Sequence, residues 1–317
     1  MTFDPLNPSI PFGDWVESWI EWLQVYFGWL FDAIKIVLST VYDLLAFILA
    51  TPPYWIIIVV LAAIAWWVRS WRLALFTVIG FYVIRSFDLW EHAMETIALV
   101  LVAVLAALVL SIPLGIWAAR SDTVSKVLKP ILDLMQTMPA MVYLIPAITI
   151  FGIGPMPGAI ATLVFAMPPG VRLTELGIRQ VDKELVEAGY AFGSPRRRIL
   201  TQIQIPVAMP TIMAGVNQVI MLALSMVVLA GMAGAGGLGG DVVGSLSSLN
   251  VPLGVEAGTA VVIIAIYLDR VSAALGDTRR RKDRRRIRAS KSGPAGESPT
   301  SPETAAKESV QSDRRSA

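Results

Sequence analysis

Apolar residues dominate this chain in long uninterrupted runs, and polar residues collect between them. Runs near 53–68, 71–86, 95–119, 130–152, 156–175, 207–233 and 256–276 approach or reach the ~20 residues that a helix needs to cross a bilayer core. The first two are short and joined tightly through Arg69-Ser70-Trp71-Arg72. No run alternates apolar and polar positions with a period of two, and a lipid core demands that backbone groups pair within the segment, so the runs predict helices. The expected fold class is an all-α polytopic membrane protein with about seven transmembrane helices. Residues 53–276 form the membrane domain.

The first 52 residues read differently. Trp15, Trp19, Trp22, Tyr26 and Trp29 recur every three or four positions, so one helical stripe carries five aromatics. A cage for a quaternary ammonium ion is one reading. A helix lying in the membrane interface is the favoured one, because a stripe on one helix does not enclose a cation. Residues 31–50 are long enough to span but carry Asp32, Lys35 and Asp43, and charges within a span are costly. They are expected to be interfacial or packed along the bundle, with an eighth span as the alternative. The N-terminus has no positive n-region or cleavage site of a secretory signal.

Charge then sets a direction. Residues 277–317 hold 12 of the 26 Lys and Arg and 6 of the 24 Asp and Glu, leaving 14 basic and 18 acidic groups in the body. With the segment after 175 placed in the cytoplasm, Arg69, Arg72, Arg120, Lys126, Lys129, Arg172, Arg179, Lys183, Arg196, Arg197, Arg198 and Arg270 all fall at or near the inner side. Only Lys35 and Arg85 do not. This predicts an outside N-terminus and a cytoplasmic tail, with outer loops at 86–94, 153–155 and 234–255. Trp55, Trp66, Trp67, Trp71, Trp90 and Trp117 sit near span ends, as interfacial indoles do; for Trp117 core packing is equally compatible. The tail, 277–317, carries eight Lys or Arg between Arg279 and Arg288 and then turns to Ser, Pro, Gly, Glu and Lys. That composition predicts disorder. The basic run reads as a topology anchor or a contact for anionic lipid rather than for nucleic acid.

The chemistry available is narrow. There is no Cys and one His, His92, which removes disulfides, Cys/His zinc sites and thiol nucleophiles. No G-x-x-x-x-G-K-[ST] stretch occurs, and no metal or cofactor site is expected. Gly234-Ala-Gly236-Gly-Leu-Gly239 fits G-x-G-x-x-G but follows a long apolar span, so it reads as a helix break at the outer face. Asn217 and Gln218 lie inside a span. They either line a pathway or bond helix to helix, the second being at least as strong a reading. Asp133 and Gln136 near another span end call for the same weighing. Met135, Met138, Met141, Met209, Met213, Met221 and Met226 could line a pathway adaptably, though packing explains most of them.

The stretch about 177–206 is a polar helix–turn–helix between two spans. Asp182 can cap its first helix, Gly193 can stop it in a left-handed conformation, and Ser194 with Pro195 can start the second as N-cap and first-turn proline. Pro206 is expected to interrupt the chain before the next span. Ala188 and Gly189 make the middle of the first helix small, suited to close approach. Some thirty ordered residues between spans call for a partner.

Glu187-Ala188-Gly189, Gly193 six residues after Glu187, and Ile203-x-Ile205-Pro206 resemble the EAA loop of ATP-binding-cassette importer permeases. Gly189 stands where that family often has Ala. From about residue 88 to 275, including Pro206 to Gln218, Leu222 to Met226 and Gly236 to Gly239, the chain resembles glycine betaine/proline betaine permeases. The resemblance implies a type I importer permease with Glu187 contacting a cytoplasmic ATPase, Ala188 and Gly189 allowing close seating, and Gly193 setting the turn. It implies that Ile203, Ile205 and Pro206 complete the coupling segment. The implied partners are ATPase subunits, an extracellular or periplasmic substrate-binding protein, a second permease copy and membrane lipid. The location implied is a prokaryotic cell membrane, and ATP hydrolysis would lie in the partner. The same architecture could import choline, carnitine or another small zwitterion. A secondary transporter or channel would place ionisable groups near midplane, and none is seen there. An anchoring protein without transport is the third class.

Overall fold

The computed structural model describes the backbone of residues 12–291 and side chains over 13–274. Its helices in chain order are α1 (Phe12–Ala50), α2 (Tyr54–Val68), α3 (Trp71–Ser86), α4 (Trp90–Arg120), α5 (Asp122–Thr137), α6 (Leu144–Phe151), α7 (Pro155–Arg179), α8 (Lys183–Ala191), α9 (Arg196–Ile199), α10 (Ile205–Ala230), α11 (Gly237–Ser248) and α12 (Val251–Lys291). Among the described residues five helices are long and apolar enough to cross a bilayer, or six if the bent pair α5–α6 counts as one. The chain divides between Gly276 and Asp277. Helix α12 extends to Lys291, past the position where a disordered tail was expected to begin; residues 292–317 lie outside the described residues.

Helices α4, α7 and α10 make the centre, and small residues let them approach. A Cβ on Gly115 of α4 would lie 2.7 Å from the Val171 carbonyl oxygen and 2.6 Å from Thr174 Cβ, both on α7. Gly170 meets Ser111 and Val219, Gly215 meets Pro169 and Leu173, and Gly177 meets Ala208 and Thr211. These pairs run α4 parallel to α7 and α10 antiparallel to both. Without a hydrophobic drive between helices in lipid, backbone proximity and van der Waals fit hold such crossings.

The α2–α3 hairpin packs beside this core and against α12. Tyr267 donates from its hydroxyl to the Leu61 carbonyl at 3.2 Å, and its ring meets Phe81 edge-on at 5.5 Å. At 15 and 16 residues, α2 and α3 reach only about 23 Å each, short of the ~30 Å core.

Three sequence expectations change here. Residues 130–152 are not one straight helix: α5 ends at Thr137 and the chain turns by 107° into 140–151, as a broken span or a re-entrant segment does. Pro139 is the cause, because it drives Met138 into an extended conformation (φ −70°, ψ 136°). Residues 31–50 are not a separate segment but the second half of a 39-residue helix. No proline interrupts Phe12–Ala50, and charges on a helix surface do not break its hydrogen bonds. Gln24 of α1 donates to the Thr149 carbonyl at 2.7 Å, and Phe31 stacks edge-on against Phe151, so α1 leans on α6. Finally, Trp90 is the packed indole, 6% exposed against Phe81 and Tyr54, whereas Trp117 is 59% exposed.

Candidate functional site

Helix α8 is about two and a half turns, framed as its residues dictate. Asp182 Oδ1 accepts from the Glu184 amide at 3.0 Å and caps the start. At the other end Gly193 adopts φ +74°, its amide donates to Tyr190 O at 2.8 Å and the Ser194 amide donates to Gly189 O at 3.1 Å. A left-handed glycine with paired back-bonds is what frees the chain to reverse.

The second helix departs from expectation in two ways. Its N-cap is Pro195, not Ser194: Arg198 and Ile199 amides both donate to Pro195 O. Pro206 does not interrupt the chain. Helix α9 continues through a π-helical segment, Leu200–Gln204, into α10, where Pro206 stands in the first turn. Proline lacks the amide and its ring crowds the carbonyl four residues back; a wider π turn immediately before it accommodates both.

Gly189 is also reassigned. It is buried, and a Cβ there would sit 2.9 Å from Ile203 Cδ1 and 3.3 Å from Ile199 Cγ1. Its close approach therefore serves the fold of this hairpin and is not left open for another protein. Ile205 joins a cluster with Ile178, Val181, Leu200, Ala208 and Ile212, which seats the hairpin on the ends of α7 and α10. Glu187 and Ala188 remain exposed, as do Leu185, Tyr190 and Phe192, the last at 89%. Glu187, Lys183, Val186 and Tyr190 line a cleft of about 340 Å³ closed by Ala119, Ile178, Arg179, Val181 and Gln204.

A polar knot lies where α7 leads into this hairpin. Arg179, the last residue of α7, donates to Asp122 Oδ1 at 2.7 Å, to the Ala118 carbonyl at 2.8 Å and to Glu175 Oε1 at 2.9 Å. Buried Glu175 also accepts from Ser125 Oγ at 2.6 Å. One guanidinium thus joins the ends of α4, α5 and α7. Nearby, Arg172 pairs with Asp133. In the sequence alone these arginines stand out as topology markers only. The Glu175-x-x-x-Arg179 spacing, which puts opposite charges on one helix face, was the available signal.

Asn217 and Gln218 are not part of this arrangement. They lie on α10 some 18 Å farther along its axis, level with Gly170 and Val171. Asn217 Oδ1 is buried without a hydrogen-bond partner, and Gln218 is half-buried.

At the opposite end of the bundle the glycine-rich segment breaks the helix. Gly234, Gly236 and Gly237 take positive φ, and α11 then starts against α4. Glu95 Oε2 accepts from the Gly237 amide at 3.2 Å, Thr96 Oγ1 from Leu238 at 2.9 Å, and His92 Nδ1 lies 2.6 Å from Asp241 Oδ2. No group of three or more His, Asp or Glu among the described residues is arranged to hold a metal ion.

Known proteins share this pattern. The profile of the binding-protein-dependent transport system inner membrane component matches residues 111–277, the stretch from the middle of α4 through the polar hairpin to α12. The glycine betaine transport system permease protein OpuAB of Bacillus subtilis is 47% identical over 265 residues, 84% of this chain and 94% of its own. The glycine betaine/proline betaine transport system permease protein ProW of Escherichia coli is 43% identical, over 89% of this chain and 80% of its own. In fold, a solved structure of the MetNI methionine ABC transporter in inward-facing conformations aligns with a TM-score of 0.52 at 20% identity, covering 61% of this chain and 95% of that one. The long helices, the hairpin they carry and the match across both place this chain in the family of binding-protein-dependent transport system inner membrane components, the membrane-embedded permeases of ATP-binding-cassette importers.

Proposed function

We propose that this chain is the permease subunit of an importer for glycine betaine, proline betaine and similar quaternary ammonium osmolytes. The observation that carries the solute class is the 47% identity with the OpuAB permease over most of both chains. ATP hydrolysis belongs to a separate ATPase, and a substrate-binding protein delivers the solute from outside.

Helix α8 is the coupling helix. Its outward residues, Glu187 and Ala188 together with Leu185, Tyr190 and Phe192, are exposed. A solvent-facing Phe beside a half-exposed Leu and Tyr is an apolar surface suited to a cleft on the ATPase. Gly189, Gly193, Ile203, Ile205 and Pro206 shape the hairpin behind that surface. When the ATPases close, α8 is pushed, and the Arg179 knot passes the displacement to α4, α5 and α7 together. The α8 end is cytoplasmic, because Arg120, Arg179, Lys183 and Arg196 to Arg198 gather there. The N-terminus is then outside and the tail inside. The pathway forms between two copies of the chain, with Asn217 and Gln218 supplying polar atoms along it.

Cysteine cross-linking tests this. The chain has no cysteine, so Phe192→Cys is a unique reporter. It should cross-link to single cysteines in the ATPase cleft, with a yield that changes on ATP binding. A Phe192→Cys chain that never cross-links to the co-purified ATPase, while an outer-face cysteine such as Leu249→Cys does, would reject both the coupling role and the orientation.

A further inference from the structure

A groove at the C-terminal end of α4 has the chemistry of an anionic headgroup site. Pro113, Ile116, Trp117, Arg120 and Ser121 line it, around about 540 Å³. It opens at the foot of a stripe of exposed residues on α4: Leu105, Val109, Pro113, Trp117 and Arg120, spaced by four, four, four and three. One helix face therefore runs from purely apolar, through an indole, to a cation.

The length of α4 places that gradient across the edge of the membrane. Its 31 residues rise about 46 Å, longer than the ~30 Å hydrocarbon core, so the end of the helix reaches the headgroup layer. Trp117 lies one turn before the end, the level an indole prefers. Pro113 has no amide, so the helix carbonyl four residues back is left without its usual donor beside the groove.

Arg120 is the deciding residue. Arg85, Arg172, Arg179 and Arg270 each pair with a carboxylate, whereas Arg120 makes no ion pair among the described residues. The adjacent acid, Asp122, is already held by Arg179 at 2.7 Å and does not compete for it. A free guanidinium, the Ser121 hydroxyl and an exposed apolar stripe along which an acyl chain can lie fit a lipid phosphate with its tail attached.

We infer that this groove binds an anionic phospholipid, its phosphate on Arg120 and Ser121 and one acyl chain along Leu105, Val109 and Pro113. Lipid, rather than free phosphate, is the occupant because the charged end and the lipid-facing stripe are continuous. The site is separate from the coupling hairpin and does not depend on which solute is carried.

The test uses the complete permease–ATPase complex in nanodiscs of mixed phosphatidylglycerol and phosphatidylcholine, with lipids retained after detergent extraction measured by native mass spectrometry. The wild type should retain phosphatidylglycerol preferentially. Arg120→Gln should lower that retention about fivefold, the factor expected for one cation near a lipid surface. Trp117→Ala should lower it too, and Lys129→Gln, an exposed cation on α5, should not. Ten millimolar inorganic phosphate should leave the retained lipid in place. Four results would overturn the inference: equal retention by Arg120→Gln and wild type, no preference over phosphatidylcholine, displacement by inorganic phosphate, or efficient cross-linking of Trp117→Cys between two permease copies, which would mean protein covers the groove.

Discussion

Gly193→Ala isolates the backbone of the coupling hairpin from its packing. Gly193 holds φ +74°, and nothing lies within 4 Å of the point where a Cβ would sit. Space is therefore not at issue, and the cost is the left-handed conformation itself, about 1–2 kcal/mol for an alanine. That corresponds to a change of roughly 5- to 30-fold in the population of the closed turn. The amides of residues 193 and 194 report it directly, since they donate to Tyr190 O and Gly189 O only while the turn is closed. In the assembled complex, hydrogen exchange of a peptide covering 183–199 should accelerate by that factor at these two amides. Gly193→Asn should show a smaller change, because asparagine tolerates this region better. Solute-stimulated ATP hydrolysis should fall in the same order, with assembly retained. Exchange in Gly193→Ala indistinguishable from wild type would refute the claim that this glycine sets the hairpin.

Three further outcomes follow from the packing. Glu175→Gln should weaken the Arg179 knot and leave Ser125 and Arg179 with a poorer acceptor, costing about 1–3 kcal/mol in thermal-shift assays. It should lower the uptake obtained per ATP hydrolysed more than hydrolysis itself; equal losses in both would remove Glu175 and Arg179 from the transmission route. Gly115→Val should force α4 from α7, since even a Cβ would sit 2.7 Å from the Val171 carbonyl oxygen; overpacking costs of about 1–3 kcal/mol or more predict a lower melting temperature and reduced expression. Gly189→Ala should be nearly neutral, because the helix gain of about 1 kcal/mol offsets a contact with the movable end of Ile203, whereas Gly189→Leu should collapse coupling; uptake assays on both variants distinguish this from a site reserved for the ATPase.

The long apolar helices were legible because lipid solvation leaves few alternatives to a run of twenty apolar residues. Helices α4, α7 and α12 each enclose the expected span, and α10 covers residues 207–230 of the expected 207–233. The cap at Asp182 and the stop at Gly193 were legible for the same local reason: each is decided by a side chain or a missing Cβ within a few residues. Contacts between distant segments were not. Gly189 looked like an open seat for a partner because nothing in its neighbourhood reveals Ile199 and Ile203 folding back over it. Arg179 looked like one more inner-face cation, since its partners Asp122 and Ala118 lie some sixty residues away. The bend after Thr137 was concealed by apolarity: residues 140–151 are hydrophobic enough to complete a span in composition, and only the proline at 139 argued otherwise. Pro206 misled in the opposite direction, because a π turn lets a helix pass through a proline that would ordinarily end it.

Reconstituted transport tests the central claim most directly. Liposomes carrying this permease with its ATPase should accumulate labelled glycine betaine against a gradient, only with ATP and only when the substrate-binding protein is supplied. Accumulation of carnitine or choline in preference to betaines would contradict the proposed solute, and betaine flux that persists without ATP or the binding protein would contradict the account of this chain as an ATP-driven gate.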